Sequence, residues 1–222
     1  MSITENITKI RRSLPTGVTL VAVSKFHPIE DLQEAYAAGQ RIFGESRAQE
    51  LTVKQKALPN DIEWHFIGPL QSNKVKDIAP FIHLIHSIDS LKLLQEVNKQ
   101  AAKNNRVIRL LLEIHVAQEE AKHGFTPNEC RELLQKISLA DFPNIRICGL
   151  MGMATFTDDM HIVQQEFRTL HSLFVELKNG LFKEDEDFKE LSMGMSDDYP
   201  LAIQEGSTMI RVGTSIFGER KY

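Results

Sequence analysis

The 222-residue sequence predicts an α/β protein, a single (β/α)8 barrel of TIM type with an extra N-terminal helix, and three observations carry that prediction. Eight short β-rich runs alternate with longer segments of helical grammar, which is the signature of a parallel sheet wrapped by helices. Several runs are apolar at consecutive positions, as in Val107-Ile108-Arg109-Leu110-Leu111-Leu112, and this suits strands buried on both faces. The hydrophobic content of 42% is enough for one large core, so one domain, 1–222, is expected. Barrels of this type more typically reach ~250 residues, which makes this a compact one. No G-x-G-x-x-G follows an early strand, so an open dinucleotide-binding sheet is the weaker alternative.

Taken in order, the chain predicts a helix over 3–14 and a first strand over 18–25. A helix over 28–39 follows, with Pro28 at its start, Gly39 past its end, and Leu32, Ala35 and Tyr36 on one face. Strands are predicted over 41–46, 63–68 and 83–88, and then a helix over 90–103 that Ser90 is placed to cap. The strand at 107–116 leads to a helix over 127–139, the strand at 145–153 to a helix over 158–178. The charge run 183–187 reads as a solvated loop before the strand at 188–194. A short helix over 196–206, capped by Ser196 and ended by Gly206, precedes the last strand at 209–217.

Composition narrows the function. Twenty-six Lys and Arg against 30 Asp and Glu give a formal charge of -4, without the basic excess that neutralises a phosphate backbone, so nucleic acid is not an expected partner. No apolar run approaches the ~20 residues of a membrane span, and residues 1–12 lack the apolar stretch of a secretory signal. A cytoplasmic monomer is expected, with no membrane partner. Cys130 and Cys148 are too few for a disulfide framework and read as small apolar fillers.

Two features suggest chemistry. In the first strand Thr19, Val21, Val23 and Lys25 share one side, and Lys25 ends that row at the strand's C-terminal end, the face where barrel active sites are built. Partial desolvation there lowers the amine below the ordinary lysine value of ~10.4 and favours the neutral form that attacks an aldehyde. The second feature is the pair of strand ends Ser192-Met193-Gly194-Met195-Ser196 and Arg211-Val212-Gly213-Thr214-Ser215, after strands seven and eight, where barrels recurrently hold phosphate. Gly194 and Gly213 permit close approach to an anion, Ser196 and Thr214 offer hydroxyls, and Arg211 supplies a permanent cation. A strand-end lysine beside a phosphate cradle specifies a phosphorylated carbonyl compound. Pyridoxal 5'-phosphate as cofactor is one solution, and a cofactor-free Schiff-base aldolase acting on a sugar phosphate is another.

At these residues the chain resembles the pyridoxal phosphate homeostasis proteins, barrels similar to the N-terminal domain of alanine racemase. The stretches that carry the resemblance are Val21-Ala22-Val23-Ser24-Lys25, Phe43-Gly44-Glu45, Trp64-His65-Phe66-Ile67-Gly68-Pro69-Leu70-Gln71-Ser72-Asn73-Lys74, His86-Ser87-Ile88-Asp89, Leu191-Ser192-Met193-Gly194-Met195-Ser196-Asp197-Asp198 and the run from Glu205 to Arg220. The resemblance implies that Lys25 holds the cofactor as a Schiff base, that Ser196, Gly213 and Thr214 grip its phosphate, and that Arg211 lies against it. The family commonly continues Phe-Gly-Glu with Asn-Tyr, whereas Ser46 and Arg47 stand here, so that either Ser46 keeps a shorter polar contact near the cofactor or that contact is lost. Gly152 replaces a frequently larger residue and is expected to leave extra room in the pocket.

A racemase needs two bases on opposite faces of the substrate, the second usually a tyrosine from another domain. Tyr36, Tyr199 and Tyr222 all read as structural or surface residues, so the expectation is a non-catalytic carrier of pyridoxal phosphate in vitamin B6 homeostasis, with apo forms of pyridoxal phosphate enzymes as partners. A racemase or a related pyridoxal phosphate enzyme is the alternative. His83 and His86, three apart in a strand, point to opposite faces, and no metal site is expected. His65 reads as a hydrogen-bonded core or rim residue, and Lys74 and Lys122 as solvated lysines.

Overall fold

The structure is a computed structural model that describes residues 2–118 and 123–219. Eight strands close into a barrel in sequence order, and every neighbouring pair is parallel. They are β1 (Thr19–Val23), β2 (Ile42–Glu45), β3 (Glu63–Phe66), β4 (Leu84–Ile88), β5 (Ile108–His115), β6 (Ile145–Met153), β7 (Glu190–Ser192) and β8 (Met209–Val212). The helices are α1 (Ile3–Ser13), α2 (Ile29–Ala37), α3 (Ala48–Ala57), α4 (Val75–Ile78), α5 (Leu91–Lys103), α6 (Pro127–Lys136), α7 (Met160–Asn179), α8 (Tyr199–Gln204) and α9 (Thr214–Phe217). Among the described residues no helix is long and apolar enough to cross a membrane.

Local chemistry explains where the helices begin. Ser2 and Glu5 form a reciprocal capping box on α1, and Thr126 and Glu129 do the same on α6, so two otherwise orphaned amides are satisfied at each start. Ser90 caps α5 as predicted, accepting from the amide of Leu93 at 3.3 Å. Two terminal assignments need correction. The segment predicted as the end of the last strand leaves the sheet after Val212 and coils into α9, with Gly213 at its start. The helix predicted to start at Ser196 starts at Tyr199 instead, and Ser196 does not cap it.

Alternation sorts the strand residues. Leu20 and Ala22 of β1 face the helices within the main core, whereas Val21 meets Leu84, Leu111, Cys148, Met151 and Met209 on the barrel axis. Both cysteines are free and buried, as filler residues should be, and burial pushes the Cys130 thiol up to about 12.

β5 and β6 slip register between Leu110 and Leu111, and Gly149 lies at the slip with φ +151°. A Cβ on Gly149 would sit 1.8 Å from the carbonyl oxygen of Glu190 on β7, so no side chain fits without parting the strands. Gly149→Ala is therefore expected to cost at least ~3 kcal/mol, read as a lower urea midpoint. An unchanged midpoint would mean that β7 can move aside freely.

Candidate functional site

Lys25 follows β1 by two residues and is half-buried, and its position is set by the turn that carries it. Phe26, the next residue, has φ +68°, a left-handed conformation uncommon outside glycine. A buried polar cluster holds this turn from below. Lys54 on α3 is 4% exposed and its ammonium donates to the Ser24 carbonyl at 2.7 Å, to Glu45 Oε1 at 2.8 Å and to Glu50 Oε1 at 2.7 Å. Ser24 Oγ donates to the same Glu45 oxygen at 2.6 Å, and the Phe26 amide donates to Glu50 Oε1 at 2.7 Å. The peptide groups on both sides of Lys25 are thus fixed by charge-assisted bonds. Burial raises the Glu45 carboxyl above its ordinary value, and the Lys54 ammonium and Ser24 hydroxyl oppose that rise.

Lys25 opens onto a cavity of about 210 Å3 at the C-terminal mouth of the barrel, whose walls include Ser196, Arg211, Gly213 and Thr214. Five of the six residues singled out in the sequence therefore converge. Ser46 does not line this cavity; it turns toward β3, where a Cβ on Gly68 would lie 2.6 Å from its own. Its neighbour Arg47 stacks over the Phe26 ring at 4.6 Å.

The phosphate-type cradle is built from backbone. The amides of Gly213 and Ser215 both donate to Ser196 Oγ, in long bonds of 3.3 and 3.4 Å that converge on one point at the start of α9. A Cβ on Gly213 would approach the Val23 carbonyl to 3.3 Å, so the missing side chain helps keep the cradle open. Gly194 serves another purpose than the predicted anion approach. With φ +94°, a Cβ there would lie 2.6 Å from that of Ala202, and its absence lets α8 pack against the strand end.

Arg211 is 4% exposed and anchored at both ends, donating from Nη1 to Ser192 Oγ at 2.7 Å and from Nη2 to the Gly152 carbonyl at 3.0 Å. Burial pushes the guanidinium down to about 10, against the pull of Asp198 and Glu113, and it stays cationic at neutral pH. Gly152 adds no room to the cavity, contrary to expectation, because a Cβ there would strike Leu170 of α7 at 2.7 Å. Ser192 also meets His86 Nδ1 at 3.0 Å, and His86 Nε2 meets His65 Nδ1 at 3.0 Å. His65 is accordingly a hydrogen-bonded core residue, as the sequence suggested. Lys74 is half-buried, 4.0 Å from Asp77, and Lys122 lies outside the described residues.

Residues not anticipated from sequence also shape the site. His27, two places beyond Lys25, lines the cavity, stacks on Phe217 at 4.8 Å and meets Asp31 at 3.2 Å. Asp197 lines it as well. On the barrel interior near Arg211, burial and the nearby Asp89 raise Glu113 from 4.5 to about 7, and Arg211 limits the rise.

Residues 1–221 match the family described as alanine racemase, N-terminal domain. The pyridoxal phosphate homeostasis protein of Pasteurella multocida is 40% identical over 237 residues, covering 100% of this chain and 99% of the relative. PipY of Synechococcus elongatus, solved without pyridoxal phosphate, superposes with a TM-score of 0.90 at 39% identity, covering 98% of this chain and 100% of the other. PipY with pyridoxal phosphate bound gives 0.87 at 38% identity over the same shares.

Two outcomes test this geometry. Lys54→Met leaves Glu45 and Glu50 without their shared cation and is expected to cost about 3–5 kcal/mol in urea unfolding, since the Glu45 charge stays buried; a loss below ~1 kcal/mol would show that the cluster does not hold the turn. Glu113 binds its proton more tightly folded than unfolded. Its stabilising contribution is therefore full below pH 4.5 and is lost as pH rises through about 7. Glu113→Gln should stabilise the cofactor-free protein above pH 7 by up to ~3 kcal/mol relative to its effect at pH 4. A pH-independent difference between the two proteins in urea melts would contradict this.

Proposed function

Because the chain belongs to the alanine racemase N-terminal domain family, and within it to the pyridoxal phosphate homeostasis proteins, we propose that it binds pyridoxal 5'-phosphate reversibly through Lys25 as a non-catalytic carrier. The observation that carries this reading is the convergence of Lys25, Ser196, Arg211, Gly213 and Thr214 on one cavity. When bound, pyridoxal phosphate supplies an aldehyde, a phosphate and a pyridine ring. The residues present suit all three. Lys25 offers the primary amine for a Schiff base, the Ser196 and Thr214 hydroxyls with the amides around Gly213 offer anion donors, and the volume suits a one-ring ligand.

Arg211 supports the carrier reading over the enzymatic one. Its buried, doubly anchored cation opposes protonation of a pyridine nitrogen brought near it, which weakens the ring as an electron sink. No tyrosine lines the cavity among the described residues. Ser46, which does not line the cavity, takes no part in holding the cofactor. The same reading makes the protein a cytoplasmic monomer that exchanges its cofactor with apo-enzymes.

Borohydride reduction of the cofactor-loaded protein, followed by peptide mapping, is expected to place the label on Lys25; a label on Lys74 or Lys122 would overturn the assignment. Arg211→Ala and Ser196→Ala should each weaken retention at least ~10-fold in equilibrium dialysis, about 1.4 kcal/mol. Exchange of the α-proton of L-amino acids with deuterated water, catalysed with turnover, would restore the enzymatic reading.

A further inference from the structure

We propose that Glu63, His65 and His83 form a binding site for a zinc-class transition metal ion at the N-terminal end of the barrel, opposite the cofactor cavity. One ligand atom from each of these residues lies within 4.8 Å of the other two, and the site is empty here. Glu63 opens β3, His65 follows it on the same face two residues on, and His83 stands just before β4. The neighbouring strands bring the three together, with the His65 and His83 rings stacked at 5.7 Å.

The second observation is an orphaned nitrogen. His65 is 2% exposed, its Nδ1 is engaged by His86 at 3.0 Å, and its Nε2 is buried without any hydrogen-bond partner. A buried polar atom left unpaired has lost its hydration without compensation, and a metal ion bound at this nitrogen supplies the missing partner. The arrangement also reproduces the outer shell typical of a ligating histidine, whose other ring nitrogen donates to a fixed acceptor. With the His65 Nδ1–H directed to His86 Nε2, the Nε2 lone pair is left for a metal.

The ligand set names the class. Two imidazoles and one carboxylate, with a fourth position open to water, match zinc and its neighbours rather than the all-oxygen shells of calcium or magnesium. Tetrahedral bonds of 2.0–2.1 Å place adjacent ligand atoms about 3.4 Å apart, and Glu63 Oε2 already lies 3.2 Å from His83 Nε2. The side chains of His83 and Glu63 are 36% and 45% exposed, so an ion can reach the site from solvent. Arg109 Nη1 lies 3.5 Å from His83 Nε2 and has to turn away, toward Glu190, which is 4.0 Å from its other terminal nitrogen. Its charge lowers affinity without blocking the ligands.

The test uses full-length protein free of any histidine tag, with Co2+ as a spectroscopic probe and Zn2+ as competitor. Wild type is expected to take up one equivalent of Co2+ with the intense visible absorption of a tetrahedral nitrogen and oxygen site, displaced by Zn2+. His83→Ala and Glu63→Gln, both at partly exposed positions, should each weaken binding at least 10-fold while leaving circular dichroism and pyridoxal phosphate retention unchanged. Failure of wild type to bind either ion at 50 μM, uptake undiminished in both variants, or a thiolate-to-cobalt band pointing to Cys148 would each overturn the proposal.

Discussion

The buried Lys54 ammonium is the interaction on which the site depends. A lysine seldom sits nearly without solvent, and this one does so by serving three acceptors from two strand ends and its own helix. Because one of those acceptors is the carbonyl of Ser24 and another receives the amide of Phe26, the cluster fixes the backbone on both sides of Lys25. The amine at position 25 is thus aimed by a second lysine that never meets the cavity. Removing the charge from either side leaves the other without compensation, which ties the fold of the mouth to its chemistry.

The barrel interior divides into unlike levels. An apolar group around Val21, Leu111 and Met209 lies within it, while His65, His86, Ser192 and Arg211 form a continuous polar chain across four strands, β3, β4, β7 and β8. The chain ends at the cavity on a guanidinium with both terminal nitrogens bonded, and at its other end on the unpaired Nε2 of His65. The rigidity of Arg211 therefore comes from residues far from it in sequence.

Much of this was legible in the sequence because the signals were local. The consecutive apolar residues of β5 and the capping serine of α5 announce themselves within a few positions, and the Gly213-Thr214 turn lies where a barrel holds anions. α3 was not legible, since Ala48 to Ala57 carries mixed polar and apolar residues with little segregation onto one face. The strand-like Ile216 and Phe217 belong to α9, because the chain turns at Gly213 and buries Ile216 against the core from a helix. The roles of Glu45 and Lys54 arise from contacts across 9 and 30 residues, and the histidine chain spans four strands, so neither leaves a spacing signature. Gly194 and Gly152 show the same limit, for a glycine reveals that room is needed but not which neighbour needs it.

Gly152 couples two surfaces that share no ligand. Its carbonyl holds Arg211 on the inside, while on the outside its bare Cα lets Leu170 press α7 against the strand. A relative that carries a side chain at position 152 must shorten the residue at 170, shift the helix outward or displace the strand inward, and a displaced strand would carry the carbonyl with it. The two positions are thus expected to covary, and the record of that covariation would lie in the helix layer, on the far side of the strand from the cofactor whose arginine it protects.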